Sequence, residues 1–324
     1  MWRALWRSER LPAEPLDEAT RRANDLPSTL TQVPGDDVTQ RPVFEPALKQ
    51  YQNAYRATDP AFADPARGEA WRTARRRALH LVLAGIGDSE WAESLVLRGS
   101  LLMSLWFGEA AREPGDLDFV VVPADWGIEE ARTPRMLDGI AEAAQARAAA
   151  DAGGVRFAAR STLVEDIWTY DRVPGRRMLL PWSAPGLPGG HVQLDFVFTE
   201  ELPEPPEPVE LPGRTVLLAA SPALSLAWKL MWLIDDMHPQ GKDLYDAVLL
   251  AESHPLPYDL LLRVFQLSGS AGRDRELVTL REVAQAAEYA EWDHFVTEYP
   301  RFAHRGREFA KRLVQAVTPT FAGR

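Results

Sequence analysis

A chain of 324 residues is long enough for about two domains and a sizeable core, and its 46% hydrophobic and 26% charged residues fit a soluble globular protein. The absence of cysteine excludes disulfides, thiolate catalysis and cysteine-ligated zinc or iron–sulfur sites. A formal charge of −11 argues against a sequence-blind nucleic-acid binder, whose footprint is basic, and no apolar run approaches the ~20 residues that span a bilayer. The opening Trp2, Arg3 and Trp6 give way to polar and acidic residues too soon for a secretory signal, so the expected location is the cytoplasm, with no membrane partner.

Residues 1–42 carry scattered prolines (Pro12, Pro15, Pro27, Pro34, Pro42) and no fixed apolar period, which predicts a disordered or extended tail. From Val43 to Leu83 the pattern is helical, and from Trp71 onwards Arg72, Arg75, Arg76 and Arg77 take the face opposite the apolar one. Leu95–Leu97 is a short strand running into Gly99-Ser100, Leu101–Ala111 a buried helix, and Arg112–Gly115 a turn. Leu117–Val122 is apolar and β-branched, the pattern of a buried strand. A helix over Pro134–Ala150 stops at Gly153-Gly154, and Val155–Ala159 and Val192–Phe198 read as strands. The acidic, proline-rich stretch Glu200–Pro212 is a predicted loop and a candidate domain boundary, and beyond Ser221 the pattern is helical to Val317. Strands in the middle and helices at both ends predict an α+β protein. The division expected is a tail at 1–42, a core with N-terminal helices at 43–212 and a helical domain at 213–324.

Asp116 and Asp118 stand at the head of the buried strand. Residues two apart on a strand share a face, so the two carboxylates point the same way and repel unless a cation sits between them. An all-oxygen site suits Mg²⁺; the plainer reading is a pair of acids capping a turn. Gly99 lets backbone approach a ligand, and Ser100 offers a hydroxyl and helix-terminal amides to a phosphate, or is simply a helix cap. Asp195 interrupts an apolar strand, either in a buried salt bridge or as a third metal-binding carboxylate or base. Lys229 is the one charged residue of the helical run Ser221–Ile234; it either snorkels to water or meets a polyanion in a cleft. In Lys242-Asp243-Leu244-Tyr245-Asp246 the two acids share a helix face and Lys242 can pair with Asp246. Walker, His-Glu-x-x-His and Gly-x-Ser-x-Gly motifs are absent, and the six histidines are dispersed.

In this order, Gly99-Ser100, Asp116-x-Asp118, Lys229 and Lys242-Asp243-x-x-Asp246 resemble the nucleotidyltransferases of the AbiEii/AbiGii toxin family, within the DNA polymerase β-like superfamily, over roughly Leu95 to Ala251. The resemblance implies a polymerase β-like core with a mixed sheet and transfer of a nucleoside monophosphate from an NTP, with a tRNA 3′ end as acceptor and a cognate antitoxin as partner. It implies one or two Mg²⁺ ions on Asp116, Asp118 and Asp195, with Gly99 and Ser100 at the phosphates. Lys229 and Lys242 then neutralise charge, while Asp243 and Asp246 position a helix, a base or the acceptor. The same chemistry on an aminoglycoside-like small molecule or a protein, and a catalytically silent nucleotide-binding module, are the alternatives. The basic helices near Arg75 and Arg305 are the expected RNA contacts.

Overall fold

The structure is a computed structural model that describes residues 10–12, 14, 16–169, 173–268 and 274–323; Trp2, Arg3 and Trp6 lie outside them. The segment expected as a tail contains helix α1 (Glu18–Ala23), where the Asp17 carboxylate accepts from Thr20 N, and strand β1 (Val38–Thr39). Its Leu26 and Leu30 are buried in a small cluster separate from the main core. The helical pattern expected from Val43 holds only from Pro65. Before it, β2 (Pro42–Phe44) and β3 (Tyr55–Ala57) pair as a hairpin, and β4 (Ala61–Phe62) pairs with β1. Pro46 and Pro60 interrupt any helix there, and Asp64 with Pro65 forms a cap and first-turn pair for α2 (Pro65–Gly87).

Strand β5 (Leu95–Arg98) leads through Gly99 into α3 (Ser100–Phe107), then β6 (Asp116–Val121) and α4 (Arg132–Ala150). Strands β7 (Arg156–Phe157), β8 (Leu163–Thr169), β9 (Val173–Ser183), β10 (Gly190–Val197), β11 (Glu207–Leu211) and β12 (Thr215–Ala219) follow. The sheet runs β11-β12-β5-β6-β10-β9, with β7 and β8 both against β9. It is mixed: β6 is antiparallel to β5 and parallel to β10, and β12 is parallel to β5. The predicted loop Glu200–Pro212 thus contains a strand. Pro208 is tolerated because β11 lies at the sheet edge. Helices α2 and α4 pack so closely that a Cβ on Gly85 would sit 2.9 Å from Ala144 N.

The C-terminal part is helical as expected, with α5 (Pro222–Asp235), α6 (Gly241–Ser253), α7 (Tyr258–Leu267), α8 (Leu280–Tyr289), α9 (Trp292–Glu298) and α10 (Gly306–Val317). Ser221 Oγ accepts from Leu224 N at the start of α5. The whole is an α+β fold, and one apolar core continues from the sheet into these helices. No helix among the described residues is long and apolar enough to cross a membrane.

Candidate active site

The register of the central strands puts four charged residues in one lateral row. Arg98 on β5 faces Asp118 on β6, Asp118 faces Asp195 on β10, and Asp195 faces Arg177 on β9. Side chains opposite each other across strands share a face. Two carboxylates therefore lie side by side between two guanidinium groups. Asp116, two residues before Asp118, joins them on the same face, and ligand oxygens of Asp116, Asp118 and Asp195 lie within 4.8 Å of one another.

Each member is held differently. Arg177 donates from Nε and Nη2 to the two oxygens of Asp195 at 2.8 and 2.7 Å, so Asp195 is both salt-bridged and part of the acidic group. Ser100 Oγ donates to Asp116 at 3.1 Å. Asp118 rests against Gly99, whose φ of +82° already favours glycine and whose Cβ, if present, would overlap the Asp118 carboxylate. Burial, together with Asp116 and Asp195, pushes the Asp118 carboxyl up to about 8, against the pull of Arg98 and Lys229. Such crowding of oxygen ligands is what a divalent cation relieves, and the donor set fits Mg²⁺.

Facing the acids is a second charge network. Lys229, buried on α5, places Nζ 2.6 Å from Asp243 and 3.2 Å from Asp246, with the Trp232 ring 4.6 Å away. Asp246 is fully buried, and Arg112 donates to both its oxygens at 2.9 and 2.6 Å. Burial would raise the Asp246 carboxyl; Arg112 and Lys229 prevail and hold it below the usual range. The partner of Asp246 is thus Arg112, not Lys242 one turn earlier. Lys242 is raised by nearby Glu45, and its ammonium makes no hydrogen bond or ion pair among the described residues. Glu45, buried yet held at about 2 by Lys242, Arg177 and Arg56, brings the hairpin of β2 and β3 to the site.

The three carboxylates, Arg98, Arg112, Arg177, Lys229, Lys242, Asp243 and Glu45 line one open cleft of about 140 Å³, together with Gly99, Ser100 and the exposed Trp168. The residues singled out for catalysis and for nucleotide or metal binding come together there, with Asp246 just behind, covered by Arg112. Four contributors carry no motif: Arg98, Arg112, Arg177 and Glu45. Arg177 had a signal, since a second charge in an apolar strand can answer Asp195. In the basic helices several arginines already have acidic partners. Arg75 is buried, bonded to Asp59 and to the Gly115 carbonyl at 2.8 and 2.7 Å. Arg76 pairs with Glu69, Arg305 with Glu308 and Arg312 with Glu252, so these arginines are largely neutralised.

Over residues 81–318 the sequence matches the family described as nucleotidyl transferase AbiEii toxin of type IV toxin–antitoxin systems. The chain belongs to this family. It is an AbiEii nucleotidyltransferase, and the matched region contains the carboxylates, Gly99-Ser100, Lys229 and the Lys242–Asp246 segment. No curated protein matches it. Among solved structures it is similar to JHP933 from Helicobacter pylori, at 15% identity and a TM-score of 0.46, covering 76% of this chain and 90% of that one. It is also similar to an antigenic nucleotidyltransferase-like protein from Paracoccidioides brasiliensis, at 13% identity and a TM-score of 0.37, covering 72% and 92%.

Proposed function

We propose that this AbiEii chain transfers a nucleoside monophosphate from an Mg²⁺-bound NTP to an RNA acceptor, with a tRNA 3′ end as the first candidate. It would act as the toxin half of a pair with a cognate antitoxin. The observation that carries the proposal is the meeting of Asp116, Asp118 and Asp195 within 4.8 Å of one another beside the Gly99-Ser100 turn, on one sheet face. Asp116 and Asp118, with Asp195 as the third carboxylate, would hold one or two ions. When bound, Mg²⁺ supplies Lewis-acid charge at the reacting phosphate.

The chain's own residues do the rest. Ser100 and the first amides of α3 receive phosphate oxygens. Lys242 offers its ammonium to the triphosphate, and Lys229 adds positive potential while it fixes Asp243. Asp246 positions α6 against Arg112, and Arg177 keeps Asp195 facing Asp118. The acceptor hydroxyl oxygen bonds to the α-phosphorus and the bond to the bridging oxygen breaks. Pyrophosphate leaves with that electron pair, and the hydroxyl proton passes to water in the open cleft. Positioning and charge neutralisation are the main demands of such a transfer.

The test is incubation with Mg²⁺, each α-labelled NTP and total cellular RNA, with the Asp116→Asn/Asp118→Asn protein in parallel. Label on RNA with the wild type alone is the expected result. Equal labelling by the double variant would refute the assignment.

A further inference from the structure

The acidic cleft has a neighbour. A second cavity of about 140 Å³ lies against it and shares Asp116, Arg112 and Lys242 as a common wall. The strand β10 runs between the two: His191, Gln193 and Asp195 alternate onto one face, and the register sets Gln193 opposite Asp116 and Asp195 opposite Asp118. Asp195 therefore opens on the first cavity, while Gln193 and His191, one and two alternation steps back along the strand, line the second. Gly99, Ser100 and Asp118 belong to the first cavity only.

The two cavities differ in chemistry. The second is lined by four cationic and four anionic side chains, and Arg56, Arg75 and Arg112 are each tied to an acid. Its remaining polar wall includes Thr29, Thr31, Gln40, Thr58, His191, Gln193 and Tyr299. Burial lowers the His191 imidazole and so favours its neutral form. A charge-balanced wall of hydroxyl, amide, imidazole and phenol groups suits an uncharged, hydroxyl-rich group, whereas the first cavity, with its acids and helix terminus, suits a metal-bound polyphosphate. In-line displacement needs the entering and leaving oxygens on opposite sides of one phosphorus. Two cavities meeting at Asp116 leave room for a separate group on either side of that carboxylate.

We propose that the second cavity is the acceptor site, receiving one ribose-sized, hydroxyl-bearing end of the acceptor, with His191 and Gln193 as its floor. Its outer wall comes from residues 29–60, before the family-matched region, so acceptor choice is set by this chain's own N-terminal segment. The inference rests on the proposed transferase reading and is tested so that the two can fail separately.

The experiment measures Mg²⁺–NTP binding by calorimetry and transfer of α-label into total RNA and total protein extract, for the full chain and three variants. His191→Trp fills the second cavity, His191→Ala trims its floor, and Ala47→Trp fills the first. The expected result is that His191→Trp loses transfer at least tenfold with NTP affinity within about twofold of wild type, His191→Ala raises the acceptor KM, and Ala47→Trp weakens NTP binding. Thermal melting confirms that each variant is folded, and His191→Ala carries the test if the tryptophan is not accommodated. Loss of NTP affinity in both His191 variants, or unchanged transfer in both, would overturn the proposal. Label on protein alone would overturn the ribose assignment. No NTP binding by the wild type would instead overturn the transferase reading beneath it.

Discussion

Replacing Arg112 by methionine should destabilise the protein severely without touching the acidic triad. Asp246 is fully buried and receives two bonds from Arg112, while Lys229 lies 3.2 Å away but is shared with Asp243. The network holds two positive and two negative charges, so Arg112→Met leaves one buried negative charge in excess. Breaking a buried pair from one side costs about 3–5 kcal/mol. Lys229 remains as partial compensation, so the lower end, about 3 kcal/mol, is expected, a fall in Tm of roughly 4–5 °C for a chain of this length. Urea unfolding at neutral pH measures it. Arg112→Met/Asp246→Asn, which removes the stranded charge, should recover part of the loss. The pH profile adds a sign. Asp246 is held below its usual range, so its contribution is present above about pH 4 and fades as the pH falls through its folded value. Arg112→Met should flatten that acid-side loss. A single variant within about 1 kcal/mol of wild type, or a double variant as unstable as the sum of its parts, would refute the charge-network argument.

Gly99→Ala should cost about 1–3 kcal/mol for its backbone conformation alone and displace Asp118, so melting and Mg²⁺ affinity should fall together; an unchanged Mg²⁺ response would count against the contact. Because the folded Asp118 carboxyl titrates at about 8 and an unfolded one near 3.8, metal-free protein should lose stability as the pH rises between these values. The stabilisation by Mg²⁺ should grow over the same window, and a Mg²⁺-induced Tm shift that is flat from about pH 5 to about pH 8 would contradict this. Lys242→Met should weaken NTP affinity by about 10- to 100-fold, the worth of one charged hydrogen bond, while Glu45 keeps Arg56 as partner. Calorimetry with a non-hydrolysable NTP analogue reads the change.

What was legible in the sequence is what depends on short spacing. The period of a strand places Asp116 and Asp118 together, a carboxylate in an apolar strand marks Asp195, and a lone lysine in an apolar helix marks Lys229. What was not legible depends on long-range pairing. Arg112 sits in an unremarkable turn, and only the packing of α6 behind it makes it the partner of Asp246. Arg75 reads as one of a row of surface arginines, yet it is buried beneath Gly115. The hairpin of β2 and β3 was hidden because its strands are three residues each, too short for alternation to show, and β11 because its proline signals a loop unless the strand is known to be an edge.

The bidentate pair of Arg56 with Glu298, at 2.9 and 2.7 Å, spans 242 residues of sequence. During synthesis at about 5–20 residues per second, Arg56 leaves the ribosome roughly 12–48 s before the acid that fastens it. The hairpin that carries Glu45 over the cleft therefore cannot be pinned at that end until Glu298 has been made. For a nascent molecule this means that the strands carrying the three carboxylates are all synthesised before the cover over them can be fastened, so the later C-terminal helices decide when the cleft takes its finished shape.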